Sequence, residues 1–206
     1  MDIAILGATG RVGSAVANAL AKEHNVTALV RNMDKAHQML DSDISLIEGD
    51  VLDEQSLTQA LVNKDVVFSG LSTDKTTTLS ESIPEVIRIM KENGVPRIIT
   101  IGTAGILNSR TEEGKLRYET NESKRRLTFA AEEHEKVFRT LAEEDREWII
   151  LCPTYLPDEQ TQGPLREEID YLPEEGKKAP VQDVADIAIR EILSPSYKNV
   201  RVGLAL

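Results

Sequence analysis

Two kinds of apolar pattern take turns along this chain. Short unbroken apolar runs fall at 2–6, 25–30, 44–48, 65–69, 97–101, 147–152 and 198–203. Between them, apolar residues recur at helical spacing near 12–22, 33–40, 54–62, 77–93, 122–144 and 181–193. Unbroken runs, as opposed to alternating ones, belong to strands buried on both faces. Strand–helix alternation therefore predicts an α/β protein: a doubly wound parallel sheet of about six or seven strands, with helices on both faces. The first helical segment places Val12, Val16, Ala19 and Leu20 on one face. The fourth places Leu79, Ile83, Val86, Ile87 and Met90 on one stripe, with Pro84 either kinking the helix or marking its start. Gly94, just beyond Asn93, fits the end of that helix. A chain of 206 residues with one such alternation reads as a single domain, 1–206.

The alternation breaks twice. Residues 104–121 are charged and poor in apolar side chains after Leu107, apart from Leu116 and Tyr118. Residues 153–180 hold five of the eight prolines, plus Gly163 and Gly176. Both follow predicted strands, and ligands of open α/β sheets bind beyond the carboxyl ends of the strands. The two segments are expected to form a small, loop-rich substrate lid.

Candidate chemistry sits at the first strand–helix junction, Ile3-Ala-Ile-Leu-Gly-Ala-Thr-Gly-Arg-Val-Gly13. Strand, glycine turn and helix in that order are the context of a dinucleotide fingerprint, here spaced G-x-x-G-x-x-G. Gly7 permits the tight turn, Gly10 lets backbone N–H groups approach a pyrophosphate, and Gly13 lets the helix pack close to the strand. The helix N-terminus adds a favourable field for the anion. At the end of the second strand stands Arg31, with no carboxylate before Asp34. A guanidinium there suits the 2′-phosphate of NADP over the 2′-hydroxyl of NAD, unless it is an ordinary solvated arginine. Arg11 and Lys35 can add positive charge nearby.

Charge sharpens this picture. A net charge of −11 argues against nucleic acid and against an anionic membrane surface as partners. An anionic cofactor must then be held by local cations against the overall field. One cysteine, Cys152, precludes an internal disulfide and fits a reducing cytoplasm; flanked by Ile149, Ile150 and Leu151, it reads as a buried apolar residue, not a nucleophile. The first strand begins at residue 3, which leaves no room for a signal peptide, and no apolar run reaches the ~20 residues of a membrane span.

Taken together, Gly7-Ala-Thr-Gly-Arg-Val-Gly13, Val30-Arg31, Gly49-Asp-Val51 and Ile99-Thr-Ile-Gly-Thr103 resemble the atypical short-chain dehydrogenases. The branch they resemble is the NmrA-like group, which includes biliverdin-IXβ/flavin reductases and related bacterial NAD(P)-binding proteins. Glu132-Glu-His134, Trp148 to Pro153, Asp158 to Gly163 and Val181 to Ala185 continue the likeness over nearly the whole chain. The resemblance implies a Rossmann-like fold and an NADP(H) site. Gly7, Thr9, Gly10, Arg11, Val12 and Gly13 would cradle the pyrophosphate, and Arg31 the 2′-phosphate. Asp50 and Val51 would contact adenine, unless Gly-Asp merely turns the chain. Gly70 and Leu71 would pass the ribose, Thr103 would lie near the nicotinamide, and Pro153, Thr154 and Tyr155 would border its far side.

The departures bear on catalysis. The superfamily commonly uses Tyr-x-x-x-Lys, but Tyr118, Tyr155 and Tyr171 are followed four residues later by Glu122, Glu159 and Glu175. That agrees with flavin-reductase relatives, in which hydride delivery by the nicotinamide carries most of the chemistry. Thr103 stands where the superfamily often has serine. His134 either sits satisfied in a stripe with Leu127, Ala131, Phe138 and Leu141, or serves the substrate; with an ordinary pKa near 6.5 it could donate a proton or orient a carbonyl. The expected function is an NADPH-dependent reductase of a flavin, quinone or tetrapyrrole, with Thr103, His134 and Tyr155 at the acceptor and no metal. A non-catalytic NADP-binding sensor is the alternative, and a sugar-nucleotide-type epimerase ranks third. The partner is a small-molecule acceptor, and the protein a cytoplasmic monomer or homodimer.

Overall fold

In the computed structural model, residues 1–123, 127–159 and 163–206 are described. The elements run β1 (Asp2–Leu6), α1 (Arg11–Leu20), β2 (Asn25–Val30), α2 (Met33–Met39), β3 (Ser45–Glu48), α3 (Glu54–Leu61) and β4 (Val66–Ser69). There follow α4 (Thr78–Glu92), β5 (Arg97–Ile101), α5 (Phe129–Ala142), β6 (Glu147–Pro153), β7 (Arg166–Ile169), α6 (Val181–Leu193) and β8 (Val200–Ala205). They build one sheet in the order β3-β2-β1-β4-β5-β6-β8-β7. Every pairing is parallel except β7 with β8.

Pleating divides the core between the two faces. Ile3, Ile5, Ala28 and Phe68 point to one side, where they meet Val16, Leu20 and Ile192 of α1 and α6. Ala4, Leu6, Leu29 and Val67 point to the other, against Leu57, Ile83 and Val137 of α3, α4 and α5. These strand residues are buried. Phe68 has no exposed surface, so its truncation to alanine is expected to cost about 3–5 kcal/mol.

The chain leaves β1 for β2 and β3 on one side and then crosses to β4, β5 and β6 on the other. The point where the winding reverses lies between β1 and β4, and there Gly70 N–H donates to the Leu6 carbonyl at 2.8 Å. That crevice is where such sheets bind their ligands.

The structure departs from the sequence pattern at four places. The sheet has eight strands: Arg166-Glu-Glu-Ile169 forms an antiparallel edge inside the expected lid, and its charges, suited to an edge exposed to water, hid it from a search for apolar runs. The segment at 198–203 starts at Val200 and runs to Ala205, because Asn199 turns the chain at φ 53° while its side chain accepts from Trp148 N–H. Pro84 neither starts nor ends its helix, which runs from Thr78 through it to Glu92. The helix expected over 122–144 spans Phe129–Ala142. Glu122 is drawn into the preceding loop, where its carboxylate accepts from Ser109 Oγ, Arg110 N–H at 3.0 Å and Arg117 at 3.2 Å. Residues 124–126 and the 160–162 part of the family-like loop lie outside the described residues.

Candidate functional site

The glycine turn forms as its spacing requires. Gly7 takes φ 75°, and a Cβ there would sit 2.7 Å from the Gly70 carbonyl carbon. At Gly13 a Cβ would stand 2.2 Å from the Gly7 carbonyl oxygen, so helix and turn touch backbone to backbone. At Gly10 it would meet that oxygen at 3.2 Å, a tight but not forbidden contact. Among the α-helices of the described residues, α1 alone has neither a side-chain N-cap nor an acidic residue in its first turn. Asn32 and Asp53 cap α2 and α3. The free N–H groups at the start of α1 are thus left for an anion.

In front of this turn lies a cavity of about 250 Å³, lined by Gly7, Thr9, Gly10, Arg31, Lys35, Asp50, Val51, Gly70 and Leu71. Its lining suits a nucleotide: a glycine turn, an arginine and a lysine, and a carboxylate next to a valine. Asp50 also turns its own chain, accepting from Leu52 N–H at 2.9 Å. Asn32, Ser72, Asp74 and Thr78 complete the lining. Arg31 faces Asp74 across it at 3.5 Å, and both side chains are largely exposed.

A second pair of cavities opens beyond β5 and β6. One, of about 440 Å³, is lined by Arg11, Gly102, Thr103, Ala130, His134, Tyr155, Leu156, Pro157 and Asp158. The other, of about 220 Å³, shares Thr103, Ala130 and Tyr155 with it and adds Ala104, Tyr118, Ala131, Thr154 and Leu172. Thr103 and Tyr155 therefore stand at the junction of the two. Thr103 Oγ1 accepts weakly from Gly105 N–H at 3.4 Å. Thr154 Oγ1 is buried with no hydrogen-bond partner among the described residues. Tyr155 is exposed, and Leu127, at 88% exposure, stands at the rim.

His134 lines the larger cavity while much of its ring is enclosed. Burial pushes its imidazole down to about 4, against the opposing pull of the Glu133 carboxylate. The ring is therefore neutral under ordinary conditions. This removes the role of imidazolium acid that an ordinary pKa allowed, and leaves hydrogen bonding to a substrate. Glu133 itself is fully buried and anchors α5 to α4 through Ser80 Oγ at 2.7 Å, with Lys136 at 2.6 Å on its other oxygen. Tyr118 points its hydroxyl at Glu135, and burial together with that charge holds the phenol well above its usual value. Cys152 is fully buried and its thiol is pushed up likewise, as expected of an apolar residue.

The loops around these cavities are tied together. Arg201, itself buried, donates to Asp170 at 2.9 Å, the Ile106 carbonyl at 2.5 Å and Asn108 at 2.8 Å, with the Phe138 ring 4.2 Å from its guanidinium carbon. Arg110 reaches Glu168 at 2.6 Å and the Leu172 carbonyl at 3.1 Å. The 104–121 and 153–180 segments are thereby one unit.

The structure brings Gly7, Thr9, Gly10, Arg31, Asp50, Val51, Gly70 and Leu71 to one groove, and Thr103, Thr154, Tyr155 and His134 to the neighbouring cavities. Four other expected residues are not in the lining of the glycine-turn groove. Val12 and Gly13 turn inward, and Pro153 is buried at the end of β6. Arg11 directs its guanidinium away from the glycine turn, donating to the Leu156 carbonyl at 2.7 Å and facing Asp158 at 3.4 Å. Leu127 leaves the His134 stripe because it precedes α5. Sequence reasoning missed Asp74 and Ser72. No local signal links Asp74 to an arginine 43 residues away.

A Rossmann-type sheet with a glycine turn at its reversal point defines the class: a nucleotide-binding α/β protein. The chain belongs to the NAD(P)H-binding family, whose match covers residues 7–195. It is 31% identical over 96 residues to the Arabidopsis thaliana protein named "Probable pinoresinol-lariciresinol reductase 3"; the matched stretch is 45% of this chain and 30% of that one. Among solved structures it is similar to the anaerobillin reductase ChuY of Escherichia coli O157:H7 (TM-score 0.83, 20% identity, 100% and 97% of the two chains). It is similar also to a Rossmann-fold NAD(P)-binding family protein of Shigella flexneri (0.78, 24%, 98% and 92%). A third is a short-chain dehydrogenase/reductase of Veillonella parvula in complex with NADP (0.78, 16%, 100% and 94%). At these identities the likeness is one of fold. No helix among the described residues is long and apolar enough to cross a membrane.

Proposed function

We propose that this chain is an NADPH-dependent reductase that passes a hydride to a small conjugated or aromatic acceptor such as a flavin, quinone or tetrapyrrole. The observation that carries the reading is a pair of differently furnished spaces beyond neighbouring strands of one sheet edge. A groove with Arg31, Lys35 and an uncapped helix start follows β1, β2 and β4; a cavity walled by Ala104, Ala131, Tyr155 and Leu172 follows β5 and β6. Bound NADPH supplies the hydride. Thr9 and the N–H groups at Arg11, Val12 and Gly13 hold the pyrophosphate; Gly7 gives the turn, which the Gly10 N–H closes on the Gly7 carbonyl at 3.0 Å, and the bare Gly10 Cα leaves room for the phosphates. Arg31, with Lys35, holds the 2′-phosphate; Asp50 and Val51 face adenine, and Gly70 and Leu71 the ribose. Thr103, Pro153 and Thr154 border the nicotinamide. Tyr155 lies against the acceptor ring, and neutral His134 donates to an acceptor heteroatom. Orientation inside the cavity supplies much of the acceleration. Arg11 acts indirectly, fastening the glycine turn to the 156–158 segment. Two similar structures, an anaerobillin reductase and a short-chain dehydrogenase/reductase in complex with NADP, support a tetrapyrrole among the acceptors and NADP as the nucleotide. A single buried cysteine fits a cytoplasmic protein.

The test is NADPH consumption, followed by nicotinamide absorbance, across a panel of flavins, quinones and tetrapyrroles. Turnover with at least one acceptor is expected. Tight NADPH binding with no turnover on the whole panel favours a cofactor-sensing protein instead. One feature favours that second reading: Tyr118, held protonated against Glu135, has a glutamate four residues on where a catalytic pair would have lysine.

A further inference from the structure

The loop from β4 to α4 carries a carboxylate into the nucleotide groove. Asp74 and Lys75 both adopt left-handed backbone, at φ 44° and 61°, in a turn closed by Thr76 N–H on the Thr73 carbonyl at 2.6 Å. Non-glycine residues adopt this conformation at some expense, and two in succession set the direction of the Asp74 side chain. Ser72 Oγ donates to Asp74 Oδ1 at 2.7 Å. The other oxygen, Oδ2, faces Arg31 Nη2 at 3.5 Å, and both residues line the same groove.

This places opposite charges where a nucleotide's 2′ substituent arrives. A 2′-phosphate brings negative charge and must share Arg31 with a carboxylate already beside it. A 2′-hydroxyl is a hydrogen-bond donor, and Asp74 is an acceptor within the same space. In NAD sites a carboxylate for that hydroxyl usually stands about 20 residues beyond the glycines, after the second strand. Here that place belongs to Arg31, and the carboxylate comes from the loop after β4. We propose that Asp74 sets the margin between the two nicotinamide dinucleotides, opposing the 2′-phosphate of NADP and accepting from the 2′-hydroxyl of NAD. The chain then binds both nucleotides, preferring NADP by less than Arg31 alone would give. The inference rests on Arg31 facing the 2′ position.

Asp74→Asn keeps the shape and removes the charge at an exposed position. Calorimetric titration of the full chain with NADP, NAD, 2′,5′-ADP and 5′-AMP reads the effect without catalysis. The variant is expected to bind NADP and 2′,5′-ADP about three- to tenfold more tightly, and NAD and 5′-AMP more weakly. The gain for NADP is expected to shrink when Arg31→Ala is added, since the two residues act through one contact. Equal shifts for all four ligands, or none, overturn the role of Asp74. If Arg31→Ala alone leaves NADP binding unchanged, the 2′-phosphate is held elsewhere and the cofactor reading itself falls. A loss for NADP in Arg31→Ala with an unmoved ratio in Asp74→Asn defeats only the present inference.

Discussion

The two halves of the sheet solve different problems. From β1 to β4 the ligand-facing surface is mostly backbone: a glycine turn, an uncapped helix start and short loops, with few side chains committed to one another. From β5 onward the facing surface is side chain, and those side chains are bound to each other through Arg201, Arg110 and Glu122. A backbone site recognises what all its ligands share, here a phosphate, and needs only the right turn. A side-chain site has to be held in shape by contacts distant in sequence, such as Arg201 to Ile106, 95 residues apart. The first half is therefore expected to fail through its glycines, and the second through its ion pairs.

The largest effects should separate the glycines themselves. Gly10→Val points a branched side chain into the space an incoming pyrophosphate needs, while its own Cβ finds only a tight contact with Gly7. Calorimetry is expected to detect no NADP binding to a protein that still unfolds cooperatively. Gly13→Ala, although smaller, drives a methyl to 2.2 Å from the Gly7 oxygen and should cost about 3 kcal/mol of stability. If the valine variant binds normally, the backbone account of this half is wrong.

On the other half, Arg201→Met removes a buried cation whose hydrogen bonds join β8, the turn at Ile106 and the end of β7. Breaking one side of such a network costs about 3–5 kcal/mol. For a chain of this size that is roughly a 6–15 °C fall in melting temperature. Turnover should fall with it, while NADP affinity in the still-folded protein holds. An equal loss of NADP affinity would mean the halves are not separable as described.

This contrast also explains what the sequence disclosed. Seven strands and six helices announced themselves because their burial is two-sided or striped, and periodicity reports burial. The glycine turn was legible because its requirements are local: φ 75° at Gly7 and backbone contact at Gly13 admit little else. β7 was not legible, since an edge strand of Arg-Glu-Glu-Ile satisfies its charges against Arg110 and Arg190, not against a neighbour in sequence. Asp74 was invisible for the same reason. The reach of the Arg11 side chain was not legible either: its guanidinium goes to the Leu156 carbonyl, 145 residues away in sequence.

A medium effect tests Arg31, the side chain assigned to the 2′-phosphate. Arg31→Ala should weaken NADP binding by roughly 1.5–3 kcal/mol, the range of hydrogen bonds to charged groups, and leave NAD nearly unchanged. Titration with both nucleotides decides it, and equal affinities in the unmutated protein would refute the preference outright.

The smallest effect belongs to His134 and depends on pH. Its folded value, about 4, lies below the 6.5 of an exposed imidazole, so on acidification the unfolded chain takes up the proton first. The histidine thus has little influence on stability above pH 6.5 and lowers it progressively as the pH falls from there to about 4. The full shift corresponds to about 3 kcal/mol, and about 1–2 is expected because one side of the ring opens on a cavity. His134→Ala should flatten the stability profile over that window. Losses at lower pH from Glu122, Glu133 and Glu191, whose hydrogen bonds and ion pairs hold them below the usual carboxylate range, should persist in the variant. The ring makes no hydrogen bond to another described residue, so removing it orphans no partner, and stability above pH 6.5 should change by less than about 1 kcal/mol. Acceptor turnover should nonetheless drop with NADPH affinity intact if, as proposed, the ring donates to the acceptor. Denaturant melts across pH and a steady-state assay on one variant are enough. A steep loss of stability at neutral pH with unchanged turnover per folded molecule would return His134 to the core, and with it the idea that the second half presents side chains to a ligand at that point.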